Sequence, residues 1–179
     1  MTTQTATQWN IDPTHSEILF RVRHMMVSNV TGAFNTFEGS LESETEDFTE
    51  ARIQFTAQVD SISTNNTQRD EHLRSKDFFD ASRFPQLTFV SSTFTKQSEE
   101  NYQLTGNLTI RDKTKPVTLT VVYNGTAVDP YGQTKAGFEI SGKINRKDFG
   151  LTWSAVTEAG NVVVSEEVKL VMNIQLIKQ

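Results

Sequence analysis

The chain has 179 residues, a formal net charge of −5 and no cysteine, which excludes disulfides, thiol nucleophiles and thiolate metal sites. It holds no run of five Lys or Arg, so the sequence offers no electrostatic footprint for nucleic acid or for an anionic membrane. The hydrophobic fraction of 36% lies under the roughly 45–50% of ordinary soluble domains, yet 12 residues are Phe, whose rings carry no polar atom and suit a dry interior.

The N-terminal stretch MTTQTATQWNIDP has neither a basic region nor an apolar run, and no segment approaches the roughly 20 apolar residues of a membrane span. The chain therefore reads as cytoplasmic as it stands, or periplasmic if it is a mature form whose signal has been removed. Residues 1–8 read as a flexible leader to one domain spanning 1–179. From Ser16 to His24 the chain alternates, with Ile18, Phe20, Val22 and His24 of one parity and Glu17, Arg21 and Arg23 of the other. Period two puts alternate side chains on opposite faces of a strand, so the first set faces inward. A second strand around Gly32 to Leu41 carries Phe34, and a third carries Ile53, Phe55, Ala57 and Val59.

After Asn65 and Asn66 the alternation stops. Thr67 to Arg74, with Asp70 and Glu71 near its start, reads as a capped helix. Ser75 to Phe79 reads as a second helical turn, ended before Pro85 because the residue preceding proline avoids the helical region. Alternation then resumes in Leu87 and Phe89, in Leu104, Gly106, Leu108 and Ile110, and in Val117, Leu119, Val121 and Tyr123. Gly125 and Asp129-Pro130-Tyr131-Gly132 mark a turn. Phe138, Ile140, Gly142 and Ile144 form the next strand, Phe149 to Asn161 with Trp153 and Gly160 a long loop, and Val164 to Leu176 the last strand.

About eight strands, mostly adjacent in sequence, favour antiparallel hairpins over βαβ units, and a closed eight-stranded sheet removes its own edges. The expected fold is all-β: an extended, antiparallel, eight-stranded lipocalin-like β-barrel with one or two short helices. Such a barrel is wide enough to be filled by its own side chains or to hold one slender ligand. Periodicity leaves both outcomes open. Small or polar residues at inward positions, namely Ser16, His24, Gly106, Gly142 and Glu166, point toward free room.

Chemistry is sparse. His15, His24 and His72 are the only imidazoles; the first two are an odd number apart and would face opposite sides of one straight strand. No metal site and no catalytic residue is expected, and no nucleophile motif occurs. His24 reads either as a bonded rim histidine or as an anchor for a ligand head group. An inward Glu166 would need a partner, unless the register slips at Val162-Val163-Val164 and leaves it at the rim. Lys143, Arg146 and Lys147 beside Asp148 read as a solvated turn.

The opening Trp9-Asn10-Ile11-Asp12-Pro13-Thr14-His15-Ser16, the run Phe20-Arg21-Val22-Arg23-His24-Met25, and Gly32-Ala33-Phe34 together resemble the YceI-like family of lipid-binding proteins. Arg69-Asp70-Glu71-His72-Leu73, Asp77-Phe78-Phe79-Asp80, Phe84-Pro85, Gly106-Asn107-Leu108-Thr109-Ile110 and Asn145-Arg146-Lys147-Asp148-Phe149-Gly150-Leu151 extend the likeness through nearly the whole chain. The resemblance implies a barrel whose lumen holds a polyisoprenoid, an isoprenoid quinone or a fatty-acid amide, without a cofactor and without catalytic groups. The expected ligand-lining set comprises Ile18, Phe20, Val22, His24, Phe34, Phe55, Phe89, Leu108, Ile110, Leu119, Val121, Phe138, Ile140, Trp153, Glu166 and Val168. The expected partner is thus a long-chain apolar small molecule, with a homodimer possible. Two competitors stand beside this reading. One is an isomerase or hydrolase with His24 or His72 as base and Glu166 as partner; the other is a packed barrel used for protein contacts.

Overall fold

The computed structural model describes residues 5–154 and 164–179. Its strands are β1 (Thr7–Ile11), β2 (Glu17–His24), β3 (Ser28–Phe34), β4 (Phe37–Ser43), β5 (Arg52–Gln58), β6 (Ile62–Ser63), β7 (Gln86–Lys96), β8 (Asn101–Ile110), β9 (Lys113–Val128), β10 (Thr134–Asn145) and β11 (Val164–Lys178). One α-helix, α1 (Thr67–Arg74), interrupts them, where the loss of alternation placed it. The Asn66 side chain caps it by accepting from the Arg69 N–H.

All pairings are antiparallel, and β1 returns to pair with β11, closing an eight-stranded barrel. The shorter strands are halves of long bent ones. β1 and β2 both lie along β11, Ile11 facing Leu176 and Glu17 facing Asn173, with a single 3-10 turn, Pro13–His15, stepping between them. β5 and β6 are likewise separated by a 3-10 turn, Val59–Ser61, and β3 and β4 by a bend at Thr36, so the chain runs as an up-and-down meander. Toward the mouth the ladders part: the pairing of β9 with β10 stops at Thr120 and Ser141, and β3 meets β6 only at Ala33 and Phe34.

Several expectations need correction. Thr7 and Gln8, read as part of a flexible leader, pair with Ser43 and Glu42 within β1. Residues 75–79 form turns and not a helix. Gly125 is not a turn residue: β9 continues through it, and a register shift opposite Gly137 and Phe138 makes it a bulge with φ 120. Of the expected loop after Phe149, Gly160 and Asn161 lie outside the described residues, as do Val162 and Val163.

The step between β1 and β2 is pinned by an ionic cluster. Asp12 is buried, its carboxylate accepting from the Thr14 hydroxyl and N–H, from Lys135 Nζ at 2.9 Å and from His15 Nδ1 at 2.8 Å. Burial alone would push this carboxyl up; the hydrogen bonds of Thr14, Lys135 and His15 outweigh it and hold the group well below the usual carboxylate range. The same bond holds the Lys135 ammonium above its ordinary value.

Candidate functional site

Among the described residues the barrel has one sealed end and one end where the cavity lining is part-exposed. At the sealed end Trp9, Phe48, Tyr123 and Phe138 meet edge to face or tilted, with ring centroids 5.2–5.5 Å apart. Phe48, 2% exposed, is carried into this plug by the β4–β5 turn. Phe94 stacks on Tyr102 beside it at 4.7 Å, and the Tyr102 hydroxyl donates to the Asp47 carbonyl.

Behind the plug lies a cavity of about 400 Å³, lined almost wholly by apolar side chains. Its inner wall includes Phe94, Leu104, Val121, Phe138, Ile174 and Leu176, all buried. Toward the other end the lining residues His24, Val30, His72, Leu73, Phe79, Trp153 and Val164 are part-exposed, which marks the mouth. There the His72 ring meets Phe78 at 5.1 Å and Trp153 at 4.8 Å, edge to face, while its Nε2 is 2.8 Å from Asp77 Oδ2. Helix α1 and the turns after it supply this side of the mouth; the β2–β3 hairpin supplies the other.

Of the expected lining set, every member but Glu166 borders this cavity. Glu166 is exposed, 2.9 Å from Lys147 Nζ and within reach of Asn145; the Lys147 contact holds its carboxyl below the usual range. The cause is a bulge. Between the pairs Val164 with His24 and Val168 with Val22, β11 advances further than β2, and the intervening residues are turned outward. Sequence parity could not show it because valines flank the bulge on both sides.

The small inward residues do not provide the room. A Cβ on Gly106 would fall 2.4 Å from the tip of the Phe89 ring, and one on Gly142 2.4 Å from Leu119 Cδ2. Each glycine is thus covered by a large neighbour lying flat across it, which keeps that side chain against the wall and out of the lumen. Ser16 bonds the backbone of Gln175 across the β2–β11 seam. The His24 ring borders the cavity with no hydrogen-bond partner among the described residues, while its carbonyl accepts from the Val27 N–H.

Arg146 was read as part of a solvated turn and is instead 3% exposed. Its guanidinium donates to the carbonyls of Leu151, Trp153, Val164 and Ser165, joining the strand ends on either side of the β10–β11 connection. Burial pushes this guanidinium down from its ordinary value, against the opposing pull of Glu166. Among the described residues no group of three His, Cys, Asp or Glu could hold a metal ion, and no helix is long and apolar enough to cross a membrane.

Fold and lumen together define a closed up-and-down β-barrel with an apolar-lined interior chamber. The chain belongs to the YceI-like domain family, whose model matches residues 9–176. It is similar to a UPF0312 protein of Yersinia enterocolitica, 38% identical over 172 residues that cover 95% of this chain and 86% of that protein. Among solved structures it is similar to BcnA of Burkholderia cenocepacia, with a TM-score of 0.80 at 24% identity over 92% of this chain and 98% of that one. It also shares its fold with a polyisoprenoid binding domain from Saccharophagus degradans, with a TM-score of 0.66 at 14% identity, covering 96% of this chain and 98% of that one.

Proposed function

We propose that the protein binds a long-chain apolar molecule, such as a polyisoprenoid, an isoprenoid quinone or a fatty-acid amide, within the barrel, as a carrier, store or sequestering protein and not as an enzyme. The observation that carries this reading is the apolar-lined chamber of about 400 Å³, a size within the range of roughly 300–1,000 Å³ usual for small-molecule sites. Such a lumen binds by area, at about 25 cal/mol per Å² of apolar surface removed from water, and needs few polar contacts. The polyisoprenoid binding of the Saccharophagus degradans domain supports the same class of ligand. The enzymatic alternative asks for Glu166 beside His24 or His72, but Glu166 is engaged by Lys147 on the outside and His72 by Asp77. The packed-barrel alternative asks for a filled interior.

Mass spectrometry of organic extracts of the purified protein tests the proposal, with a co-purifying isoprenoid or acyl lipid as the expected result. Repeated extracts without lipid, together with failure to bind added polyisoprenoids, would overturn it.

A further inference from the structure

The two ends of the barrel differ in surface as well as interior. Strand register puts the β2–β3, β8–β9 and β10–β11 connections and helix α1 at the mouth, and the β4–β5, β7–β8 and β9–β10 connections at the sealed end. All the Lys and Arg residues except Arg52, Lys96, Lys135 and Lys178 fall in the mouth half. Of the nine described carboxylates there, against thirteen Lys and Arg, Glu166, Glu167 and the buried Asp80 pair with Lys147, Lys143 and Arg83, Asp77 is hydrogen-bonded to the His72 ring, Asp70 is buried against Thr64, and Asp60, Glu71, Asp112 and Asp148 are exposed. Lys76, Lys113 and Lys115 are exposed and, among the described residues, have no ion-pair partner. The sealed end carries Glu44, Glu46, Asp47, Glu50, Glu99 and Glu100 in two turns, with Arg52 and Lys96 opposing them. An acidic chain without a basic run is therefore polarised by its fold, basic at its mouth, which corrects the expectation that it carries no electrostatic footprint for an anionic membrane.

At the rim of that basic end stands an apolar tip. Met25, Met26 and Val27 are 43%, 56% and 82% exposed. They follow directly on His24, which lines the lumen. The Val27 N–H returns to the His24 carbonyl, and the two central residues have φ 52 and 61. That is the pattern of a type I′ turn, which strongly favours Asn-Gly. The chain places two methionines there instead, against local preference and in water.

We propose that the mouth end docks on an anionic lipid bilayer, the Met25–Met26–Val27 tip entering the interface and the basic rim facing the head groups. The lumen then opens onto the membrane, where an apolar ligand can enter or leave without crossing water. This purpose rests on the lumen reading; the docking itself is measured apart from it. Charge complementarity selects the occupant, because an apolar tip on a rim that also carries exposed lysines matches an interface that is apolar within and anionic at its surface.

Flotation with vesicles of phosphatidylcholine containing a quarter phosphatidylglycerol tests the docking, and N-phenyl-1-naphthylamine fluorescence reports the lumen. The wild type is expected to float with these vesicles, to float poorly with phosphatidylcholine alone, and to be released by high salt. Met25→Asn with Met26→Gly suits the turn and so keeps the fold; it is expected to weaken partitioning about tenfold or more, since each methionine loses its apolar burial. Lys113→Glu with Lys115→Glu is expected to weaken it as well, and Glu99→Lys with Glu100→Lys, facing away, to leave it unchanged. A wild type that holds the probe but ignores the vesicles overturns docking and leaves the lumen reading standing. Equal flotation of wild type and the Asn-Gly variant overturns it too. Failure to hold the probe strikes the lumen reading whatever the vesicles show.

Discussion

The sealed end and the mouth use the same kinds of residue for opposite ends. Both gather aromatic rings edge to face. At the sealed end Trp9, Phe48 and Phe138 are buried and close on one another, with Tyr123 part-exposed at their edge. At the mouth His72, Phe78 and Trp153 make contacts as close, but one ring is an imidazole bonded outward to Asp77, and Trp153 stays part-exposed. A cluster built around a fully buried ring such as Phe48 contributes stability; one whose outer rings are half-wet can part without loss of the fold. The difference teaches that the lumen is a pouch, with rigidity concentrated at its base.

The largest effect that can break this comparison is at the base. Phe48→Ala removes the ring that touches three others, and such truncations cost about 3–5 kcal/mol. Chemical denaturation is expected to show a loss in that range. Trp153→Ala at the mouth is expected to cost clearly less and to speed release of a bound apolar probe. Equal costs at the two sites would remove the contrast.

Next in size is the step between β1 and β2, which ties the strand of the sealed end to that of the mouth. Hydrogen bonds to a charged group contribute about 1.5–3 kcal/mol, so Asp12→Asn is expected to destabilise by about 2 kcal/mol. The carboxyl binds protons less readily folded than unfolded. Its contribution is therefore complete above the unfolded value near 3.9 and is lost as pH falls below it. Denaturation midpoints followed downward from pH 5 should drop more steeply for the wild type than for Asp12→Asn, and parallel curves would contradict the assignment.

A smaller effect tests the wall between the ends. In Gly142→Ala the new methyl meets the far end of Leu119, while the next atom, the Thr118 carbonyl oxygen, is 3.6 Å away. Leu119 can give way only toward the lumen. The stability cost should be about 1 kcal/mol, with a clear loss of affinity for long apolar ligands in a fluorescence titration. Unchanged affinity would mean that the ligand does not pass this level.

These residues also show what the sequence made legible. Alternation reports which face a side chain takes, and the strand-borne lining from Ile18 to Val168 follows from it, whereas Leu73, Phe78 and Phe79 enter from the helix and its turns and Phe94 lies beyond a β7 register shift. Alternation does not report depth, so an inward glycine looks like empty space although Phe89 or Leu119 lies across it. It fails at bulges, where the residue count on two strands differs, as before Val168 and at Gly125. Turns announced by Asp, Pro and Gly were visible at Asp129–Gly132, but Met25 and Met26 carry no turn signal, and the left-handed pair they form appears only in the fold. Arg146 was hidden for a third reason. Its partners are backbone carbonyls, which every residue has and no motif records.

The smallest expected effect bears on Glu166, whose apolar neighbours in sequence suggested an inward carboxylate. A carboxylate inside the chamber would mean a polar anchor at the mouth, and its removal would change both ligand affinity and stability. Outside, bonded to Lys147 and Asn145 in contact with solvent, it holds only a screened surface pair, of a kind that contributes little. Glu166→Gln is therefore expected to leave the thermal midpoint and apolar-probe affinity within experimental scatter. The contrast with Gly142→Ala then isolates position, since a single methyl added to the wall should matter more to binding than a whole charge removed from the rim.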